Sequence, residues 1–313
     1  MNELEFEVRP RSPYRLPRGS DDRTLRIDGG VATRLLHVEE APVLARAWQL
    51  RDGRMRFRAE PVEPGSVQRH PGHPGESRRA GEAELGIAIE RMRFVLGVDY
   101  DLAEFHRRFR RDSLIGPLIR RMPSFRPRRR VWPWEALAAA VVGQLIEAQR
   151  AVGIERHIVN RWGARLGEGR GQLRDVPAAT MLASRAPAEL ESLDLSPNRA
   201  LALWRLARAV GAGRCPIENP AADRRLLAMP QIGPWTVQCL ALFGRGEMDA
   251  LPAGDLGYIK LVGRLAGLGR RATVPEVEEF YAPYEPFRGL VGSLSLAGLH
   301  RAVAQGPPLR LAA

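Results

Sequence analysis

The stretch LLAMPQIGPWTVQCLALFGRGEMDALPAGDLGYIK, Leu226 to Lys260, decides how the rest of this 313-residue chain is read. Two apolar helical segments flank Met229-Pro230-Gln231-Ile232-Gly233-Pro234. The turn is short, Gly233 lacks a side chain and is free to take positive φ, and Pro234 presets the first turn of the second helix. Such a turn lets the backbone approach an anion, with the amides of Trp235 and Thr236 at the helix start. Two helices joined this way hold a phosphodiester without reading its sequence, although turn chemistry alone fits a plain packing corner as well. Downstream, Asp255 follows Pro252-Ala253-Gly254 and opens the apolar run Leu256 to Leu265, the position of a helix N-cap.

Charge separates the two readings of the turn. The formal net charge is +12, which favours an anionic partner; nucleic acid fits better than a membrane because no amphipathic terminal helix or lipidation signal accompanies it. Arginine supplies nearly all of it, since Lys260 is the only lysine. The N-terminus MNELEFEVR is charged where a signal peptide is apolar, and no apolar run is long enough to span a bilayer. The expectation is a soluble cytoplasmic chain with no membrane partner. Two cysteines, Cys215 and Cys239, are too few for a four-thiolate zinc site or an iron–sulfur cluster, and give no disulfide scaffold. Nothing signals an oligomer, so the chain is read as a monomer.

Residues 1–82 read as an antiparallel β-sheet domain. Phe6 to Arg9, Leu25 to Ile27, Ala32 to Val38, Val43 to Leu50 and Met55 to Ala59 group β-formers between turn signals, with Gly29-Gly30 and Asp52-Gly53 as hairpin turns. Residues 60–81, rich in Pro, Gly and charge, predict a mobile loop; its His70 and His73 lack a third metal ligand. From residue 83 to 313 the pattern is helical. Helices are predicted around Leu85 to Leu96, after an Asp101/Glu104 capping box, over Trp134 to Ile146, Ala151 to Leu166 and Asp194 to Gly211, and after Asn219-Pro220. The run RPRRRVW, Arg126 to Trp132, reads as a solvated linker, with phosphate contact as the alternative in a DNA-binding protein. The fold class is α+β: an N-terminal antiparallel sheet domain, then an all-α helix-hairpin-helix core of two helical subdomains with its hairpin at 226–243.

The segments VVGQLI, PQIGPWT and LPAGDLG occur in the order seen in the helix-hairpin-helix DNA glycosylase superfamily. The chain resembles its 3-methyladenine DNA glycosylase II (AlkA-type) branch from about residue 130 to 300, and more loosely through the branch's N-terminal sheet. This resemblance implies that Asp255 is catalytic, that Gln231, Ile232, Gly233, Trp235 and Thr236 meet the DNA backbone, and that Gln144 and Leu145 form a wedge with Leu145 intercalating. It places Trp235, Trp134, Cys239 and Leu296 around the base pocket, implies a monovalent cation at the Gln231 and Gly233 carbonyls, and needs no redox or organic cofactor. Taken alone, Leu145 reads as a core leucine, and each tryptophan has ordinary core as its alternative. Cys239 and Leu296 stand where the branch's best-known member has a tyrosine and a tryptophan, Gln231 replaces the hairpin's first glycine, and Glu147 replaces a small polar residue after the wedge.

The implied chemistry is excision of an alkylated purine, of 3-methyladenine or 7-methylguanine type, from damaged double-stranded DNA. A carboxylate beside the sugar stabilises the oxocarbenium-like cation that forms as the glycosidic bond breaks. Relatives that also cut the strand carry a Schiff-base lysine at the position of Trp235, so a monofunctional enzyme is expected. The alternatives are a catalytically silent DNA-binding protein and a glycosylase for deaminated bases such as hypoxanthine.

Overall fold

The computed structural model describes residues 3–19, 24–72 and 76–305, the side chains of 170 and 300–305 excepted. Strands β1 (Leu4–Val8), β2 (Leu25–Asp28), β3 (Val31–Val38), β4 (Ala41–Gln49) and β5 (Met55–Pro61) form an antiparallel sheet in the order β1-β5-β4-β3-β2. All five expected strands are present. Gly29 and Gly30 make the two-residue turn between β2 and β3, with φ of 54° and 79°. The next turn has the same handedness, yet is built from Glu39 and Glu40 at φ 47° and 68°, residues that carry no glycine signal.

Helix α1 (Glu82–Leu96) lies on one face of the sheet. Its Leu85, Ile89 and Met92 pack with Val43, Ala45, Ala47, Phe57 and Ala59, where the small strand residues let the helix approach closely. The outer face carries cross-strand ion pairs: Arg46 with Glu60 at 2.6 Å, Arg56 with Glu7 at 2.6 Å and Arg58 with Glu5 at 2.7 Å.

Part of the stretch expected to be a mobile loop is built into the fold. Strand β6 (Val67–Gln68) pairs with β7 (Arg165–Leu166), which pairs with β8 (Leu173–Arg174). Buried Val67 anchors it against Leu35, Ala164 and Leu173. β7 also takes the residues expected to end a helix at Leu166. His70 Nδ1 accepts the Gly72 amide at 3.1 Å, and His73 lies outside the described residues.

Helices α2 (Ala103–Phe109), α3 (Gly116–Arg121), α4 (Pro133–Gly143), α5 (Ala148–Trp162), α6 (Ala179–Ala183), α7 (Pro187–Glu191), α8 (Pro197–Gly211), α9 (Asp223–Leu227), α10 (Pro234–Cys239), α11 (Leu256–Leu265), α12 (Val274–Tyr281) and α13 (Arg288–Gln305) make up the rest. They bury two apolar cores. One gathers α4 to α10 around Leu137, Ile154, Trp162, Leu203 and Leu226; the other gathers α2, α3 and α11 to α13 around Phe105, Leu118, Tyr258, Tyr281 and Val291. At α2 the expected cap is half present: Asp101 Oδ1 accepts the Ala103 amide at 2.9 Å.

The Arg126 to Trp132 run is a seam, which corrects the solvated-linker expectation. Arg129 lies over the Tyr100 ring at 3.6 Å and the Phe94 ring at 4.3 Å, and Arg126 lies over Tyr14 while donating to the Gly97 and Pro13 carbonyls. Guanidinium planes stack on aromatic faces and satisfy several carbonyls at once, which a flexible linker reading overlooks. Deeper still, fully buried Arg34 on β3 meets Glu135 of α4 at 3.0 Å and Asp175 at 3.6 Å, tying the sheet to the helices.

Candidate active site

The hairpin is α9, a six-residue turn and α10, continued by a wider π turn over Leu240–Arg245. Arg245 clamps it from below, reaching both carboxylate oxygens of Asp223 at 2.9 and 3.0 Å. Ile232 is buried under the turn, while Gln231 is exposed. The left-handed position expected at Gly233 is instead at Gln231, whose φ is 71°. Gly233 is extended, at φ −103° and ψ 177°. Gln231 thus explains why a glycine suits its place, because a side chain in that conformation costs about 1–2 kcal/mol. Gly233 has another use: a Cβ there would meet nothing within 4 Å, so the backbone faces open space.

Gln144 joins this hairpin to the end of α4. Its Nε2 donates to the Gln231 carbonyl at 2.8 Å and to Thr236 Oγ1 at 3.0 Å, and Thr236 is itself buried. The next residue, Leu145, is fully exposed at 105% and holds φ 56°. The core reading of Leu145 is therefore wrong: an apolar side chain stands in solvent on a left-handed backbone, an expensive arrangement in both respects.

Trp235 connects three of the expected elements. Its Cη2 lies 3.7 Å from the point a Cβ on Gly143 would occupy, and its Cβ and Cδ1 lie 3.5 and 3.7 Å from the corresponding point on Gly254. Gly143 ends α4 just before the wedge and Gly254 precedes Asp255, so one indole touches both approaches. Its Nε1 is buried without a hydrogen-bond partner. Neither glycine was singled out from the sequence; the signal available was a glycine immediately before each residue of interest, the mark of close approach.

Asp255 is the N-cap of α11, its Oδ1 accepting the Gly257 amide at 2.7 Å. Half-buried, it sits where the helix dipole favours negative charge. A Cβ on Gly257 would lie 2.9 Å from that Oδ1 and 3.2 Å from Leu296 Cδ2, so Leu296 of α13 and the carboxylate border the same small space beside Gly257. Cys239 faces it from α10: burial first, and the Asp255 charge second, push its thiol well above the ordinary range, leaving a neutral wall rather than a thiolate. Tyr258, one turn along α11, is a buried neutral phenol for the same leading reason, packed edge-on against Tyr281 at 5.9 Å. The sequence reading missed it, since a tyrosine in an apolar helical run looks like core.

Trp134 is not brought into this group. It is buried in the core of α4 to α10, and its indole N–H is satisfied by the Pro177 carbonyl at 3.0 Å. Nine residues before Gly143, it stands about 13 Å back along α4 from the end that meets Trp235. It fills space as a core aromatic.

Both carbonyls offered to a monovalent cation already accept hydrogen bonds, Gln231 O from Gln144 and Gly233 O from the Thr236 and Val237 amides. A cation there would have to share them with the contacts that hold the turn. Among the described residues no group of three His, Cys, Asp or Glu side chains is arranged to hold a metal, and no helix is long and apolar enough to cross a membrane.

Comparison with known proteins gives likenesses of sequence and of fold. No family model matches the chain. It is 27% identical over 229 residues to a probable bifunctional transcriptional activator/DNA repair enzyme AlkA of Mycobacterium tuberculosis, covering 72% of this chain and 45% of that one. It is 22% identical over 197 residues to the DNA-3-methyladenine glycosylase of Bacillus subtilis, covering 61% and 65%. The chain thus spans about half the length of the first of these relatives and under two thirds of the second. Its fold matches that of the 3-methyladenine DNA-glycosylase from Archaeoglobus fulgidus with a TM-score of 0.76 at 18% identity, over 96% of this chain and 100% of the other. In sequence the chain is thus similar to relatives named AlkA and DNA-3-methyladenine glycosylase, and in fold to a 3-methyladenine DNA-glycosylase.

Proposed function

We propose that this chain is a monofunctional DNA glycosylase that flips an alkylated purine, of 3-methyladenine or 7-methylguanine type, out of duplex DNA and hydrolyses its glycosidic bond. The observation that carries the reading is the placing of one indole, Trp235, between the glycine before the wedge and the glycine before Asp255. It makes wedge, hairpin and carboxylate a single mechanical unit.

The sequence of events follows from the residues. The hairpin turn, backed by Ile232 and Arg245, holds the phosphodiester chain at the open face of Gly233. Leu145 fills the gap left in the stack, which offsets part of the few kcal/mol needed to unstack a base. An electron-rich indole suits a cationic alkylated base, whose glycosidic bond is already weakened. Asp255 then meets the sugar. With Oδ1 held by Gly257, its orientation is set before substrate arrives. At about 4 Å and an effective dielectric near 20, its attraction to the oxocarbenium ion is about 4 kcal/mol, close to three powers of ten in rate. Asp255 also positions or activates the attacking water.

No step uses a lysine amine. Trp235 occupies the Schiff-base position, and Lys260 is exposed on α11, about 7.5 Å along and about 140° around from Asp255. Borohydride is therefore expected to trap no covalent adduct with DNA, and a trapped adduct through lysine contradicts the monofunctional reading.

Mass analysis of bases released from alkylated and from deaminated duplexes tests the substrate directly. Release of methylated purines is the expected result. Release of hypoxanthine alone assigns the deaminated-base alternative, and binding without release of any base assigns the silent DNA-binding alternative.

A further inference from the structure

The arginines on the outer sheet face are matched by carboxylates; those lining the space between α2 and α3 meet no carboxylate among the described residues. A cavity of about 750 Å³ there is lined by His106, Arg107, Arg108, Arg110, Arg111 and Arg120, with no carboxylate among its walls. Arg108 donates to the Glu285 carbonyl at 2.6 Å and Arg120 to the Arg110 carbonyl at 2.8 Å, neutral partners that leave both charges uncompensated. Arg107, Arg110 and Arg111 are exposed and form no ion pair among the described residues. Asp112, the next residue, is occupied: its Oδ1 accepts the Leu114 and Ile115 amides at 2.8 Å. Burial first, then the charges of Arg126 and Arg110, hold the His106 imidazole below its ordinary value. A concave wall of one sign focuses its field outward and attracts an anion.

The helix α3 that forms one wall of the cavity also packs on α13, which borders the candidate active site. Arg121 of α3 donates to the Gly298 carbonyl of α13 at 2.9 Å, and Leu118 fills the space where Gly298 has no side chain. Two residues earlier on α13, Leu296 lies against Gly257, whose amide is bound by Asp255. α3 is therefore one packed helix away, roughly 10 Å, from the wall of the site. A duplex seated on Asp255 covers that span within a few base pairs, at about 3.4 Å of rise each.

We propose that the cavity lined by Arg107, Arg110 and Arg111 is a second phosphodiester site, which holds the backbone of the duplex flanking the flipped base. The inference rests on the DNA glycosylase reading above. Guanidinium groups suit it, because their planar forks pair bidentately with phosphate.

The test is fluorescence anisotropy on wild type and on the triple variant Arg107→Gln/Arg110→Gln/Arg111→Gln, over a range of salt. Two sets of probes are used: a long lesion-bearing duplex, and duplexes truncated on one flank or the other. Every arginine–phosphate pair removed lowers the slope of log affinity against log salt by about 0.9, so the variant's slope falls by about 2 to 3 on the long duplex. Its affinity falls by about tenfold or more. Truncating the flank that reaches the cavity costs wild type a similar amount and the variant nothing further. Base release by saturating enzyme stays at the wild-type rate, since none of the three residues touches the candidate active site. An unchanged slope on the long duplex overturns the proposal, as does an equal loss of affinity on all duplexes. The underlying reading fails separately, when wild type binds duplex yet releases no base.

Discussion

Replacing Gln144 by alanine cuts the tie between the hairpin and the proposed wedge. The substitution removes two hydrogen bonds, to Gln231 O at 2.8 Å and to Thr236 Oγ1 at 3.0 Å. At about 1 kcal/mol each the loss is about 2 kcal/mol, with a little more for the Thr236 hydroxyl left buried. Leu145 already holds a left-handed backbone at φ 56°, so without this tie it relaxes from the exposed position proposed to meet the DNA stack. Expressed in the transition state, about 2 kcal/mol is roughly a thirtyfold fall in kcat/KM. Single-turnover base release from methylated duplex reads this directly, alongside a thermal melt of the free protein. Gln144→Glu is expected to be worse than Gln144→Ala, because a carboxylate has no proton to give and faces the Gln231 carbonyl. The reasoning is refuted by an alanine variant within twofold of wild type, or by a glutamate variant that outperforms it.

Leu145→Ala is expected to leave the melting temperature unchanged, since the side chain packs on nothing, while slowing base release about tenfold; Leu145→Gly slows it as much and raises stability by about 1 kcal/mol through relief of the backbone strain. A large fall in melting temperature for either contradicts the exposed placement. Gly257→Ala drives a methyl to 2.9 Å from Asp255 Oδ1 and 3.2 Å from Leu296, so base release drops by about tenfold or more with duplex affinity preserved; wild-type release argues against a positioned carboxylate. Arg34→Met leaves Glu135 and Asp175 without their shared cation and is expected to destabilise the chain by about 3–5 kcal/mol in denaturant melts, without changing base release by the folded protein. A neutral effect on stability removes Arg34 as the tie between sheet and helices.

The sheet was legible because alternation and Gly or Asp turns are local signals, and the hairpin because Pro and Gly set backbone angles within a few residues. What escaped was long-range. Arg129 reads as one charge in a basic run until Phe94 and Tyr100 arrive on either side of it. Val67 reads as one apolar residue in a loop until β7 comes alongside, about a hundred residues later. Glu39 and Glu40 take a turn that glycine normally marks, held by ion pairs of Glu39 with Arg78 and of Glu40 with Arg69 that no short window contains. At the candidate site, motif resemblance singled out Asp255 and the hairpin, whereas it did not distinguish the packing of Trp134 from that of Trp235. Both are tryptophans on apolar helices, and only the packing shows that Trp134 closes a core while Trp235 bridges two glycines. Composition alone makes Leu145 core by default, and only the resemblance set it apart; its exposure depends on where α4 ends.

The most direct measurement is the single-turnover rate of base release from methylated duplex by Asp255→Asn, with duplex affinity measured on the same preparation. Asn keeps the oxygen that caps Gly257, so fold and binding are expected to stay as in wild type while the rate falls by about three powers of ten. Release at the wild-type rate would contradict the role given to Asp255, and with it the mechanism built on the hairpin, wedge and carboxylate.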